Sequence, residues 1–218
     1  MQTQDRRLPK GPHSLSREEV AQAQRARLVE AVLANVGERG YAATTVGHVT
    51  ASAGVSRTSF YEQFTGKQAA FLAAYRSVTG EFLDQGVAVA AEAPSPLDAV
   101  AACGDFVVGY VRRRPVVARA VLLEIYALGD AGLEAREEML RASEAVFDRT
   151  AVWLRTTEPG LPLPPPFTAR TVVAATIELL TQAIWLATGD AYDRAREAIR
   201  HTWLLGLYGH RNIPAQSG

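Results

Sequence analysis

Between Thr44 and Lys67 the chain gathers hydroxyls, an arginine, a lysine, a tyrosine and an amide: Thr44, Thr45, Ser56, Arg57, Thr58, Ser59, Tyr61, Gln63 and Lys67. The chemistry these groups share is recognition of base edges and anions. Arginine pairs bidentately with guanine O6 and N7, and Ser or Thr bonds either base or touches a thymine methyl. Hydroxyls at a helix N-terminus, beside its free N–H groups, suit phosphate oxygens. The spacing offers two such termini. Thr44 and Thr45 can cap a short helix that runs to about Ala53, Gly54 supplies a tight turn, and Ser56 can cap a second short helix to about Phe64. Val46, Val49 and Ala53 then face inward with Val55, Phe60 and Phe64. Arg57, Thr58, Ser59, Tyr61 and Gln63 are left outside, as a groove reader needs.

Other reactive side chains are scattered. Asp105, Glu124 and Glu178 stand in apolar runs, where an ionised group needs a partner, so each is a site candidate. With Tyr110, Tyr126, Trp153, Gln182 and Trp185 they could line a ligand pocket between the later helices. The four histidines are dispersed, and Glu197 with His201 is an isolated pair, so no metal is expected. Cys103 is the single cysteine; it excludes an internal disulfide framework and reads as an inert core thiol. No phosphate-cradling glycine loop or nucleophile elbow is present. Neither a catalytic constellation nor a cofactor is expected, and the chain does not read as an enzyme.

The elements that position these groups all read as helices. Residues 1–15 are polar and suggest a flexible arm. Ser16 and Glu19 form a capping box, after which Leu28, Val29, Val32, Leu33 and Val36 trace one apolar face that ends at Gly40. Beyond the two short helices, a fourth runs from Lys67 towards Ala93. A fifth starts at Pro96 and ends before Pro115, and a sixth runs from Pro115 through Leu128. A seventh spans 133–157 and stops before the proline-rich stretch 159–166. An eighth spans 168–188 and a ninth runs to about Tyr208. The expected fold is all-α, about nine helices, divided into an arm (1–15), a helix-turn-helix domain (16–66) and a helical ligand-binding and dimerisation domain (67–218). Val173, Ile177, Leu180 and Ile184 on the eighth helix, with Ala195, Ile199, Trp203 and Leu207 on the ninth, form faces that two subunits could pair as a four-helix bundle.

The 218 residues carry 23 basic and 23 acidic side chains, a net charge of zero. That neutrality conceals an asymmetry. Residues 1–80 hold 10 basic and 6 acidic side chains, whereas the remainder hold 13 and 17. The positive portion contains the groove-reading segment. The apolar runs are too short and too interrupted to span a membrane, and no secretory h-region opens the chain, so a cytoplasmic location is expected.

Residues 25–76 resemble the DNA-binding region of the TetR family of transcriptional regulators. The resemblance rests on Ala31, Gly40-Tyr41, Thr44-Thr45-Val46, Ala53-Gly54-Val55-Ser56, Phe60-Tyr61, Phe64 and Lys67. It implies that Arg57, Thr58 and Ser59 contact bases, that Tyr61, Gln63 and Lys67 contact phosphate, and that Thr44 or Thr45 adds contacts. It further implies a homodimer that binds a pseudo-palindromic double-stranded operator and is released by an unknown small molecule. An all-helical small-molecule enzyme and an interaction protein without DNA binding are the alternatives that the residues alone leave open.

Overall fold

In the computed structural model, which describes residues 17–209, the described chain forms nine α-helices and one 3-10 turn. The helices are α1 (Arg17–Arg39), α2 (Val46–Ala53), α3 (Arg57–Gln63), α4 (Lys67–Ala91), α5 (Pro96–Arg113), α6 (Pro115–Leu122), α7 (Asp130–Thr157), α8 (Thr168–Leu186) and α9 (Gly189–Tyr208), and the 3-10 turn is Glu124–Leu128. The arm and Ser16 of the capping box lie outside the described residues.

Local chemistry sets most boundaries. Ser95 caps α5 by accepting from the Asp98 N–H at 3.2 Å, and Pro96 occupies the first turn, where its missing N–H costs nothing. Pro115 opens α6 in the same way. The sixth helix is shorter than the sequence suggests. It stops at Leu122, and the chain continues as the 3-10 turn. The 3-10 turn packs tightly against α7. A Cβ on Gly132 would stand 2.1 Å from the Ile125 carbonyl oxygen, so the two backbones touch there. α7 starts at Asp130, ahead of the expected 133.

Three apolar clusters hold the helices. The first joins Leu28, Val32 and Val36 of α1 to Phe60, Phe64, Phe71 and Tyr75, and reaches Ala120, Ile125 and Ala135. It therefore runs across the expected 66/67 boundary. The second packs Val108 and Ala118 against Leu180, Ile184 and Ile199, and the third packs Phe147 and Leu154 against Val172 and Leu204. Burying each of the larger of these side chains contributes about 1.5–3 kcal/mol. The outside of α7 is tied to α8 by ions: Glu137 accepts from Arg170 at 2.8 Å through both oxygens and from Arg141 at 3.0 Å. Those bonds, Arg170 foremost, hold the Glu137 carboxyl down at about 2.

Candidate nucleic-acid interface and ligand cavity

The α2–α3 unit is built by its caps. Thr45 is extended and its hydroxyl accepts from the His48 N–H at 3.1 Å, while His48 Nδ1 accepts from the Thr45 N–H at 3.4 Å. Gly54 turns the chain at φ 64°, a left-handed conformation that suits glycine. Ser56 then caps α3 by accepting from the Ser59 N–H at 3.0 Å. Phe60 is wholly buried and sits 5.7 Å from Phe64, which anchors the inner face of α3. Arg57, Thr58 and Tyr61 point to solvent, with Tyr61 57% exposed, and Ser59 and Gln63 are half-buried beside them. The result is a short helix with a cation, hydroxyls and a phenol on one open side at its N-terminal end. That surface can meet base edges and phosphates together.

Two expected contact residues turn inward. Thr44 is 1% exposed, and its hydroxyl lies between the carbonyls of Gly40 (2.8 Å) and Asn35 (3.1 Å). The chain after Gly40 curls back on α1, which buries Thr44 and leaves Thr45 as the cap. Lys67 donates to the carbonyls of Tyr41 (2.7 Å) and Thr44 (2.8 Å), and its ammonium lies 4.1 Å from the centre of the Tyr41 ring. The α1–α2 turn thus supplies Lys67 with carbonyls that a phosphate would otherwise have to replace, and the side chain locks α4 to that turn.

Two cations on α1 join the unit without being foreseeable from sequence. Arg25 lies 4.5 Å over the Phe64 ring and donates to the Gln63 carbonyl at 3.3 Å, and Arg27 reaches within 3.9 Å of the Cβ position of Gly54. Their signal in the sequence is weak, because nothing local places α1 beside the end of α3.

Behind this unit, a cavity of about 140 Å³ opens between α4, α5, α6, α7, α8 and α9. Phe82, Phe106 and Tyr110 make one aromatic wall, with Phe82 and Phe106 stacked at 5.3 Å. Tyr110 is the one expected ligand residue that lines it. Burial raises the Tyr110 phenol and the Cys103 thiol above their ordinary ranges.

The other ligand candidates lie elsewhere. Asp105 is exposed and paired with Arg196 at 2.9 Å. Glu124 leaves the cavity side and accepts from the Tyr41 N–H at 2.8 Å. Tyr126 is 49% exposed with Arg136 over its ring, and Trp153 lines a separate shallow groove with Arg149. Glu178, Gln182 and Trp185 all face solvent. Asp105, Glu178, Gln182 and Trp185 took the outer side of their amphipathic helices, whereas Glu124 is satisfied by a backbone N–H.

The expected subunit faces are also largely internal. Val173, Leu180, Ile184, Ala195, Ile199 and Leu207 are buried within this one chain, because α8 and α9 pack on each other and on α5, α6 and α7. Ile177 and Trp203 are half-buried and line the cavity.

Similarities to known proteins follow this geometry. Residues 28–74 match the family described as bacterial regulatory proteins, tetR family. No curated protein matches the chain. Among solved structures, the fatty acid degradation regulator FadR from Bacillus halodurans superposes with a TM-score of 0.71 at 16% identity, over 94% of this chain and 100% of that one. FadR from Bacillus subtilis in complex with stearoyl-CoA gives 0.71 at 16% identity, over 84% and 98%. Reduced NemR from E. coli gives 0.70 at 15% identity, over 88% and 100%. At these identities the likeness is one of fold. No helix among the described residues is long and apolar enough to cross a membrane.

Proposed function

We propose that this chain, whose residues 28–74 match the tetR family of bacterial regulatory proteins, is a transcriptional repressor released from its operator by a small apolar ligand. The observation that carries the DNA half is the open side of α3, where Arg57, Thr58 and Tyr61 project beyond a Ser56-capped N-terminus. Arg57 and Thr58 read base edges in the major groove, while Tyr61 and the α2 N-terminus at Thr45 meet phosphates. Arg25 and Arg27 add positive charge beside them. Two copies read two half-sites of a pseudo-palindrome, as protein symmetry requires.

The second copy docks through the outward side of α8. Ala174, Glu178, Gln182 and Trp185 recur there every three or four residues and are exposed, and Leu186 extends the patch. This pairing uses the opposite side of the helix from the residues the sequence nominates.

Release is supported by the position of α6. Val117 and Val121 line the cavity, and the Val116 carbonyl oxygen lies 2.0 Å from where a Gly37 Cβ would stand on α1. A ligand that displaces α6 therefore displaces α1 and the reading unit packed on it. DNA and ligand then oppose each other through one equilibrium, with reciprocal coupling.

A mobility shift with the DNA flanking the gene tests this reading. Retention should weaken steeply with salt and be lost in Arg57→Ala. No retention on flanking or selected DNA at low salt would overturn it.

A further inference from the structure

We infer that the ligand of the central cavity is an uncharged, apolar, benzene-sized molecule bearing at most one acceptor atom. The inference rests on the ligand half of the reading above and gives it a chemical class.

The walls carry the argument. Among the described residues, no Asp, Glu, Lys, Arg or His lines the cavity. The hydroxyls that do line it are already directed elsewhere. Thr79 donates to the Tyr75 carbonyl at 2.8 Å, Ser143 to the Met139 carbonyl at 2.9 Å and Thr176 to the Val172 carbonyl at 2.8 Å. The Thr176 oxygen also accepts the indole N–H of Trp203 at 3.1 Å, which fixes that ring in the wall. The Tyr110 oxygen accepts from Arg114 at 2.9 Å, so among the described residues its hydrogen is the one hydroxyl proton of the wall not already aimed at a carbonyl.

A charged or multiply hydrogen-bonding ligand would lose its water here and gain little in return, because the Tyr110 hydroxyl proton is the one wall hydroxyl proton not already directed at a carbonyl. A hydrocarbon loses nothing. The size matches such a ligand: about 140 Å³ is close to the ~150 Å³ dry cavity known to hold benzene. The shape suits a flat ring, since Phe82 and Phe106 are stacked near parallel and Tyr110 meets Phe82 edge-on at 5.0 Å. A molecule whose binding depends on an ionised head group finds no counter-charge in this wall.

Calorimetric titration of the full chain without DNA tests the class, using toluene and its charged counterpart benzoate. Toluene should saturate at least tenfold more tightly than benzoate, with a negative heat-capacity change from apolar burial. Ile177→Trp, which fills the cavity from α8, should weaken toluene at least tenfold while melting cooperatively. Val107→Phe fills it from α5 and serves if the first variant does not fold. Benzoate binding as tightly as toluene would overturn the inference, as would toluene binding that survives both fillings or no saturation up to the solubility limit. Because DNA is absent, toluene binding without operator release would leave this ligand class standing and sink only the proposed regulation.

Discussion

Glu124 accepts the backbone N–H of Tyr41 at 2.8 Å, across 83 residues of sequence. The same Tyr41 gives its carbonyl to Lys67, and its ring stacks on Phe71 at 5.6 Å. The α1–α2 turn is therefore gripped from two directions, by the 3-10 turn that follows α6 and by the first turns of α4. Both gripping elements continue into walls of the cavity: α6 through Val117 and Val121, α4 through Val78 and Phe82. These grips, together with the α6–α1 contact at Val116 and Gly37, join the ligand cavity to the DNA-facing unit.

Glu124→Ala leaves the Tyr41 N–H without its acceptor. A buried donor left unpaired costs about 1–3 kcal/mol, and this site is only partly buried, so the lower end applies. Thermal melting should fall by a few degrees. Operator affinity should weaken without a change in its salt slope, since Glu124 touches no phosphate. A variant indistinguishable from wild type in both melting and affinity would show that this bond carries neither.

Arg57→Ala and Lys67→Met should separate contact from support. Arg57 is exposed at the start of α3, and its loss should cost about 1–3 kcal/mol of operator binding if it pairs with a base. Lys67 already donates to two carbonyls, so Lys67→Met should lower stability and weaken binding indirectly. A cation that neutralises one phosphate contributes about 0.9 to the salt slope, and its removal takes that increment away. Fluorescence anisotropy at several salt concentrations should show an unchanged slope for Lys67→Met. A slope reduced by about two, one increment from each subunit of the dimer, would return Lys67 to the phosphate backbone.

Gly37→Ala probes the α1–α6 contact. The added methyl would meet the Val116 carbonyl oxygen at 2.0 Å, a backbone atom that cannot swing aside. Over-packing of this kind costs about 1–3 kcal/mol. Melting should fall accordingly, and α1 must move off α6. Unchanged melting would mean that the two helices slide apart at no cost and are poorly coupled.

These contacts also mark the limit of what is legible in sequence. The caps at Thr45 and Ser56, the turn at Gly54 and the buried Phe60 and Phe64 are local patterns, and the structure places them where the spacing says. The burial of Thr44 and the carbonyl bonds of Lys67 could not be read from sequence, because their partners are made by a turn packing against distant helices. Glu124, Glu178 and the apolar faces of α8 and α9 mislead for a related reason. A helix period shows that a side is apolar, but not whether a neighbouring helix of the same chain or a second chain covers it. The cavity is almost invisible in sequence, because its walls are ordinary Val, Leu and Phe residues that differ from core only in what fails to fill the space between them.

Glu137 gives a pH test. Its carboxyl is held down at about 2 by hydrogen bonding to Arg170, then Arg141, against an ordinary value of 4.5. The folded pKa lies below the unfolded one, so the stabilisation is complete above about 4.5 and is lost as pH falls towards 2. The group is on the surface, so the effect is modest and screened by salt. Glu137→Gln should melt earlier than wild type at pH 7 and converge with it near pH 2. Parallel melting curves across that window would show that the α7–α8 ion cluster contributes nothing to stability.

Trp185 tests the subunit interface. It is 73% exposed on the outward side of α8, with Leu186 55% exposed beside it. Exposed aromatic surface of this kind is enriched where proteins associate. The apolar residues of α8 that face the other way are already buried in the chain, so Trp185→Glu should not disturb the core. It would place a charge within the proposed two-fold contact, where like charges from the two subunits repel. Sedimentation should show the dimer shifting to monomer with melting little changed, and operator binding should become shallow and weak because one reading unit must act alone. A dimer that persists in Trp185→Glu with unchanged affinity would move the interface away from this side of α8.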